Sequence, residues 1–411
     1  MKQIKSYIKT VFIFCSIFFV LKGNAQQLDS LIDIALTNNP EIQKFELQYK
    51  RASEQVNEVN NTPNTAFAVG YFVSEPETRT GAQKFKISAN QMLPWFGTIT
   101  SREKYVSSLA ESKYEDIVIA KRKLMSSVSQ SYYNLFANEA KQEVLRKNIK
   151  LLETYETLAL TSVEVGKASA VDVLRLQMRQ NEMQQLKDVL KQQFLAELTN
   201  FNNLLNRAND VTVKVIEGLT IPSEDFEINS EKLALHPELL KYDKLYLSVE
   251  QSELLNQKES SPMIGFGLDY INVEKRPDMD FSDNGKDILM PMVSLTIPIF
   301  NKKYKSQTKQ NKLQEQEILA QKQERLNTLE TILDKAINDR ISSRISYSTQ
   351  TKNLKQAIDA EEIIFKSYET GTIDFNDVLD IQELQFKFQM NQIESVKTYY
   401  VQTTIINYLS N

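Results

Sequence analysis

The sequence predicts a mainly α protein that also carries membrane-type β-strands and is built from two copies of one unit. Three observations lead there. First, glycine is scarce, 10 residues in 411, about a third of the usual ~7%. Ile299 to Asn411 holds no proline and one glycine, Gly371, and Thr98 to Glu217 again holds no proline and one glycine, Gly166. Proline and glycine break regular structure most strongly, so each stretch reads as two long helices hinged at one point. The arm from Asn301 to Tyr368 would run roughly 100 Å at ~1.5 Å per residue, the length of a coiled coil or helical barrel. Second, the two stretches match. Glu164-Val-Gly-Lys-Ala-Ser-Ala-Val-Asp-Val-Leu-Arg-Leu-Gln177 lies over Glu369-Thr-Gly-Thr-Ile-Asp-Phe-Asn-Asp-Val-Leu-Asp-Ile-Gln382 at a constant offset of 205, and an internal duplication of this kind decides architecture. Third, ahead of each long helix the apolar period switches to two.

Residues 1–25 read as an export signal. Lys2, Lys5 and Lys9 precede an apolar run from Val11 to Leu21, and Gly23-Asn-Ala25 offers small residues for cleavage. Eleven apolar residues are too few for a spanning helix. Removal of the segment takes four lysines with it, moving the net charge from −4 to −8, and also takes Cys15, the only cysteine. Disulfide and thiolate-metal chemistry are thereby excluded from the mature chain. Phe14 is too large to precede a lipidated cysteine. No later apolar run has membrane-helix length, so any bilayer crossing must be by strands. Nothing in the charge balance points to nucleic acid.

A short helix is expected over Leu28–Thr37. Asn39 then caps a second helix, with Pro40 at its first position and Glu41 at the positive end of its dipole, running to about Asn61. Phe67, Val69, Tyr71 and Val73 alternate with smaller residues. Phe85, Ile87 and Ala89 alternate with Lys84, Lys86, Ser88 and Asn90, a strand with one apolar and one polar face. The second copy repeats the pattern in Ile264, Phe266, Leu268, Tyr270 and in Val293, Leu295, Ile297, where Pro291 demands a bulge or an unusual pairing. Pro94-Trp-Phe-Gly97 and Pro298-Ile-Phe-Asn301 close the two hairpins. Between the copies, Val211, Val213 and Val215 suggest a short strand in a connection folded around the helices. The domain reading is thus a signal at 1–25, a first repeat at 26–207 (strand hairpin about 65–93, helical tip near 166), a connection at 208–233, and a second repeat at 234–411 (strand hairpin about 264–297, tip near 371).

Four strands leave open edges, which lipid does not tolerate, so several chains must pool their strands into one barrel, polar faces inward. His236, the only histidine, begins a helix and reads as structural or exposed. The methionines, Met290 and Met292 among them, read as core or lipid contacts rather than a metal path. No nucleophile–base pair, phosphate loop or metal-ligand cluster stands out, so neither an enzyme nor a cofactor is expected.

The Asn-Pro-Glu start at 39–41, Leu-Pro-Trp-Phe-Gly at 93–97, Ile-Pro-Ile-Phe-Asn at 297–301 and Gly-x5-Asp-Val-Leu at 166–174 and 371–379, duplicated and in this order, resemble the TolC-like outer-membrane efflux proteins over about Leu28 to Leu409. The resemblance implies a homotrimer with a 12-stranded β-barrel in outer-membrane lipid, continued by a helical barrel in the periplasm. Its implied partners are a periplasmic adaptor protein and an inner-membrane transporter, and its implied function is the exit duct of a tripartite efflux system for small molecules or metal ions. Protein or peptide secretion through the same duct and a purely periplasmic coiled-coil scaffold are the alternatives. By position the resemblance puts Asp377 and Asp380 on an acidic gate ring, and Asp172, Arg175 and Tyr368 in a network that closes it. Adaptor contacts fall at Gly166, Lys167, Ser169, Gly371 and Thr372. Ile373 stands where a basic partner is found in the family, and Arg175, at the first-copy position equivalent to Asp380, would compensate. Trp95 is expected to anchor the barrel at the membrane interface.

Overall fold

The structure, a computed structural model, describes residues 28–164, 169–225, 230–369 and 375–410. The expected signal and Cys15 lie outside the described residues, as do Gly166, Lys167, Gly371, Thr372 and Ile373. The chain runs α1 (28–38), α2 (Pro40–Val59), β1 (Ala66–Tyr71), β2 (Glu77–Thr78), β3 (Gly81–Leu93), α3 (Thr98–Glu164), α4 (Ala170–Leu204), a 3₁₀ turn (Ser230–Leu235), α5 (Pro237–Glu259), β4 (Met263–Val273), β5 (Ile288–Thr296), α6 (Lys303–Glu369) and α7 (Phe375–Ser410). The four long helices fall on the two glycine- and proline-poor stretches.

Helix ends follow local chemistry. The Asn39 side chain accepts from the Glu41 N–H at 2.9 Å, ahead of Pro40 at the first position. The two strand-to-helix corners use different devices. Gly97 turns with φ +82°, a left-handed value that favours glycine, whereas Asn301 caps α6 by accepting from the Lys303 N–H at 2.8 Å. At the end of α4, Asn206 takes the left-handed conformation, φ 51°, and the Arg207 N–H reaches back to the Asn202 carbonyl at 3.1 Å.

The chain divides into two compact units, and each draws on both repeats. One comprises residues up to 44, 118–236 and 326–411. Its first core gathers Leu124, Val128, Tyr132 and Leu135 of α3 with Leu198, Phe201 and Leu205, then Val396 and Tyr399 of α7. Its second core is spaced by sevens: Leu145, Leu152 and Ala159 on α3 face Leu176, Met183 and Leu190 on α4, the repeat of a coiled-coil seam. The connection between the repeats lies on the first core through Val215 and Ile221. Val211–Val215 is not the strand its alternation suggests. No strand stands beside it among the described residues. The Asn202 amide donates to the Asn209 and Val211 carbonyls, and the Tyr132 hydroxyl accepts from the Ile216 N–H at 3.1 Å. The alternation records one buried face, not a ladder.

The connection is also clamped electrostatically. Arg344 donates to the Pro222 and Ser223 carbonyls and to Asp225, which accepts in turn from the Tyr399 hydroxyl at 2.6 Å. Burial alone would raise the Asp225 carboxyl. Hydrogen bonds from Arg344 and Tyr399 and the charge of Arg340 outweigh it and leave Asp225 below the usual carboxylate range.

The second unit, residues 45–117 and 237–325, holds the sheet. Its helices meet through polar contacts: Arg102 with Glu259, Lys241 with Asp116, and the Asn256 amide with the Tyr304 carbonyl. The strands are antiparallel in the order β1-β3-β4-β5, with the short β2 added against β3. β2 had no sequence signal; it forms where Gly81, at φ +134°, turns so tightly that a Cβ there would collide with the Glu274 carbonyl. Arg276 ties the two far loops together by donating to Glu77 and to the Thr78 carbonyl. Pro291 pairs in register with Leu268, and the register shift lies instead between Gln83 and Phe85 of β3. β5 is a terminal strand of the sheet, where a missing N–H is tolerated.

Candidate functional site

Two regions carry the functional reading, and each lies within one unit. In the sheet, the register brings Phe67, Val69 and Tyr71 beside Ala89, Ile87 and Phe85, and then Leu268 and Tyr270 beside Pro291 and Leu289. Ile264 and Phe266 follow, paired with Leu295 and Val293. One apolar face thus crosses all four long strands. It is bare: Phe67 is 76% exposed, Val69 77% and Val293 75%. An apolar surface of this extent marks contact with lipid or another protein. The outer edges of β1 and β5 pair with no strand among the described residues. The opposite face carries Lys86, Ser88 and Asn90, with Asp269 fully buried against Lys86. Met290 and Met292 belong to this second face. Trp95 is half-exposed and packs edge-on against Phe96, while Phe96 and, at the matching corner, Ile299 and Phe300 are largely exposed. No described helix is long and apolar enough to cross a membrane.

The other region is the end of the helical hairpins. Ser169 caps α4: its hydroxyl accepts from the Val171 N–H at 3.1 Å, and Asp172 returns the bond by accepting from the Ser169 N–H at 3.2 Å. Asp172 therefore holds its own helix start. Tyr368 packs on Phe375, ring centres 5.2 Å apart. Asp377 and Asp380 are exposed on α7, one turn apart. Arg175 does not pair with Asp380; it donates to Asn376, the neighbour of Asp377. Arg175 and Asp380 both line a cleft of about 410 Å³ that also takes in Arg179 and Glu383. Arg179 bridges to Glu383 at 3.0 Å, joining α4 of the first repeat to α7 of the second. Sequence reasoning missed this link, because two surface charges on separate helices leave no local pattern.

A second feature was missed although the duplication carries it. Glu156 of α3 accepts from Gln177 at 2.7 Å and Gln180 at 2.9 Å on α4. At the 205 offset, Glu361 of α6 accepts from Gln382 and, at 2.7 Å, from Gln385 on α7. Each repeat closes its hairpin with one carboxylate and two amides. In the second repeat Gln382 and Gln385 are buried and continue the stripe of Phe375 and Val378, and Tyr155 of the first repeat donates a third bond to Glu361 at 3.1 Å. Burial first, and the nearby Glu361 charge second, push the Tyr155 phenol up, which keeps it a donor. His236, which begins α5, is buried, its Nε2 3.2 Å from the Tyr408 carbonyl, a structural place.

Residues 31–207 match the family of outer membrane efflux proteins. No curated protein matches the sequence. The chain is similar in structure to the channel-forming CusC (14% identity, TM-score 0.78, covering 94% of this chain and 92% of that one). It is also similar to the outer membrane protein VceC of Vibrio cholerae (15%, 0.75, 94% and 96%) and to the CmeC outer membrane channel of Campylobacter jejuni (16%, 0.74, 93% and 85%). The resemblance to TolC-like outer-membrane efflux proteins is thus borne out: the first repeat matches the family's sequence pattern, and the chain along nearly its whole length has the fold of such channels.

Proposed function

We propose that this chain is the outer-membrane exit duct of a tripartite efflux system. Three copies pool their strands into a 12-stranded barrel in the lipid, and the long helices continue as a tunnel in the periplasm. The duct conducts passively; the energy comes from an inner-membrane transporter, reached through a periplasmic adaptor. The observation that carries this reading is the bare apolar face across four strands whose two outer edges are unpaired. Such a sheet is unstable alone, and closure with further copies satisfies both the edges and the face. The exposed apolar positions Ile341 and Ile345 on α6 supply further surface for helix contacts between copies.

At the periplasmic mouth, Asp377 and Asp380 from three chains form an acidic constriction whose mutual repulsion favours bound cations. Asp172, Arg175 and Tyr368 hold the hairpin ends around it, and the tips at Gly166, Lys167, Ser169, Gly371 and Thr372 meet the adaptor. Trp95 anchors the rim of the barrel.

The test uses cysteines placed on the two outer strands, Ala68→Cys and Ser294→Cys, in the full-length protein, with a short bis-maleimide linker. A covalent trimer in the outer-membrane fraction is expected. Monomer alone, or protein recovered wholly from the soluble periplasm, would remove the duct.

A further inference from the structure

We propose that the sheet face opposite the apolar one carries a binding site for a soft monovalent cation, Cu(I) or Ag(I), formed by the thioethers of Met92, Met263 and Met292. Four of the chain's ten methionines, these three and Met290, fall on this one face. In register, Met92 lies beside Gly265 and Gly265 beside Ser294; one step along, Asn90, Gly267 and Met292 form the next row. Met263 stands two residues before Gly265 on the same side of β4. The central strand is bare between them because both of its residues are glycine. A Cβ on Gly265 would overlap Met92 Sδ and the Ser294 hydroxyl, and one on Gly267 would overlap Asn90 Oδ1 and come 3.1 Å from Met292 Cε. Side chains from β3 and β5 therefore lean over β4 above its two glycines. Met92 Sδ lies 3.8 Å from Ser294 Oγ.

The donor set decides the ligand. Thioethers are neutral and polarisable, and they select Cu(I) over Mg²⁺, Ca²⁺ or Zn²⁺, which take harder or charged ligands. Lys86 neutralises the buried Asp269 two residues beyond Gly267, so no excess negative charge favours a divalent ion. Methionine has three rotatable bonds, so the sulfurs can converge without backbone movement. The site stands whatever the duct exports.

Ag(I), which needs no reductant, is the probe. Titration of the purified full-length protein in detergent is followed by calorimetry and by X-ray absorption at the silver edge. One Ag(I) per chain with sulfur neighbours is expected, and no Zn²⁺ binding at the same concentration. Met92→Leu and Met292→Leu conserve volume and should each weaken binding tenfold or more. Gly265→Ala should weaken it although every thioether remains, and Met178→Leu on α4 should not. Absence of silver binding, silver held by oxygen or nitrogen alone, or full affinity in the Met92→Leu, Met292→Leu double variant would overturn the site.

Discussion

The two hairpins of this chain close with the same three residues in different surroundings. Glu156 with Gln177 and Gln180 sits near the surface, whereas Glu361 with Gln382 and Gln385 is packed into the seam and is joined by Tyr155. A hydrogen bond open to water adds little, because water replaces it at small cost; a buried donor without an acceptor costs about 1–3 kcal/mol. The same duplicated signature is therefore a trimming on one hairpin and a structural requirement on the other. Polar residues at seam positions also fix register, since a slipped helix would strand them in apolar surroundings. The hairpin that bears Asp377 and Asp380 is the one so fixed.

Four experiments test this contrast. The largest effect is expected from Glu361→Ala, which takes the shared carboxylate from Gln382, Gln385 and Tyr155 and leaves Gln385 only the Ala357 carbonyl. Hydrogen exchange along residues 375–385 should accelerate by a factor of ten or more, while Glu156→Ala changes residues 170–180 by only a few-fold. Equal effects would erase the distinction between the two copies. Next, Tyr155→Phe removes the hydroxyl that donates to Glu361 and accepts from Gln382, two bonds that join the copies at this point, and should cost about 1 kcal/mol in thermal unfolding. No loss would show that each hairpin is held by its own residues alone.

The acidic pair offers a functional version of the comparison. The double variant Asp377→Ala, Asp380→Ala should raise conductance in planar bilayers and weaken block by divalent cations. Asp172→Ala, at the matching place in the first repeat, should raise conductance less and leave the divalent block near wild type, because Asp172 holds its hairpin end through its own cap and does not share the acidic pair's role in binding cations. If Asp172→Ala opens the channel as far, the gate is shared by both hairpins. The smallest effect concerns pH. Hydrogen bonds from Gln177 and then Gln180 hold the Glu156 carboxyl below its ordinary value. Its contribution is present above the ordinary glutamate pKa, about 4.3, and is lost as the pH falls through the lowered folded value. Exchange at residues 170–180 should therefore accelerate only below about pH 4, and an onset near neutrality would assign the change to another group.

Much of the fold was legible because its signals are local or periodic. Gly97, Asn301 and Asn39 announce helix starts within three residues of themselves, and the alternation of Phe67, Val69 and Tyr71 sets a strand face with no knowledge of its neighbours. Val211–Val215 shows the limit. One buried face alternates in the same way whether or not a strand lies alongside, and the difference rests on side chains outside the run, the nearby Asn202 and the distant Tyr132. Pro291 shows it again, since the need for a bulge depends on whether its strand is central or terminal.

The site was read more thinly. Asp377 and Asp380 come from their place in the resemblance and Arg175 from its match to Asp380 in the duplication, whereas the Asn376 amide oxygen that accepts from Arg175 is legible only in the structure. The buried Glu361 clasp escaped notice because glutamine at a seam position looks like any solvated helix residue until burial is known.

The sequence by itself determined the duplication, the long helices, the two-faced strands and the places where each begins, since backbone preference and side-chain period act over a few residues. Only the tertiary structure decided which copy of the clasp is buried, which strands stand at the edges and which methionines share a face. Those depend on contacts between segments some 200 residues apart, whose free energies no local pattern records.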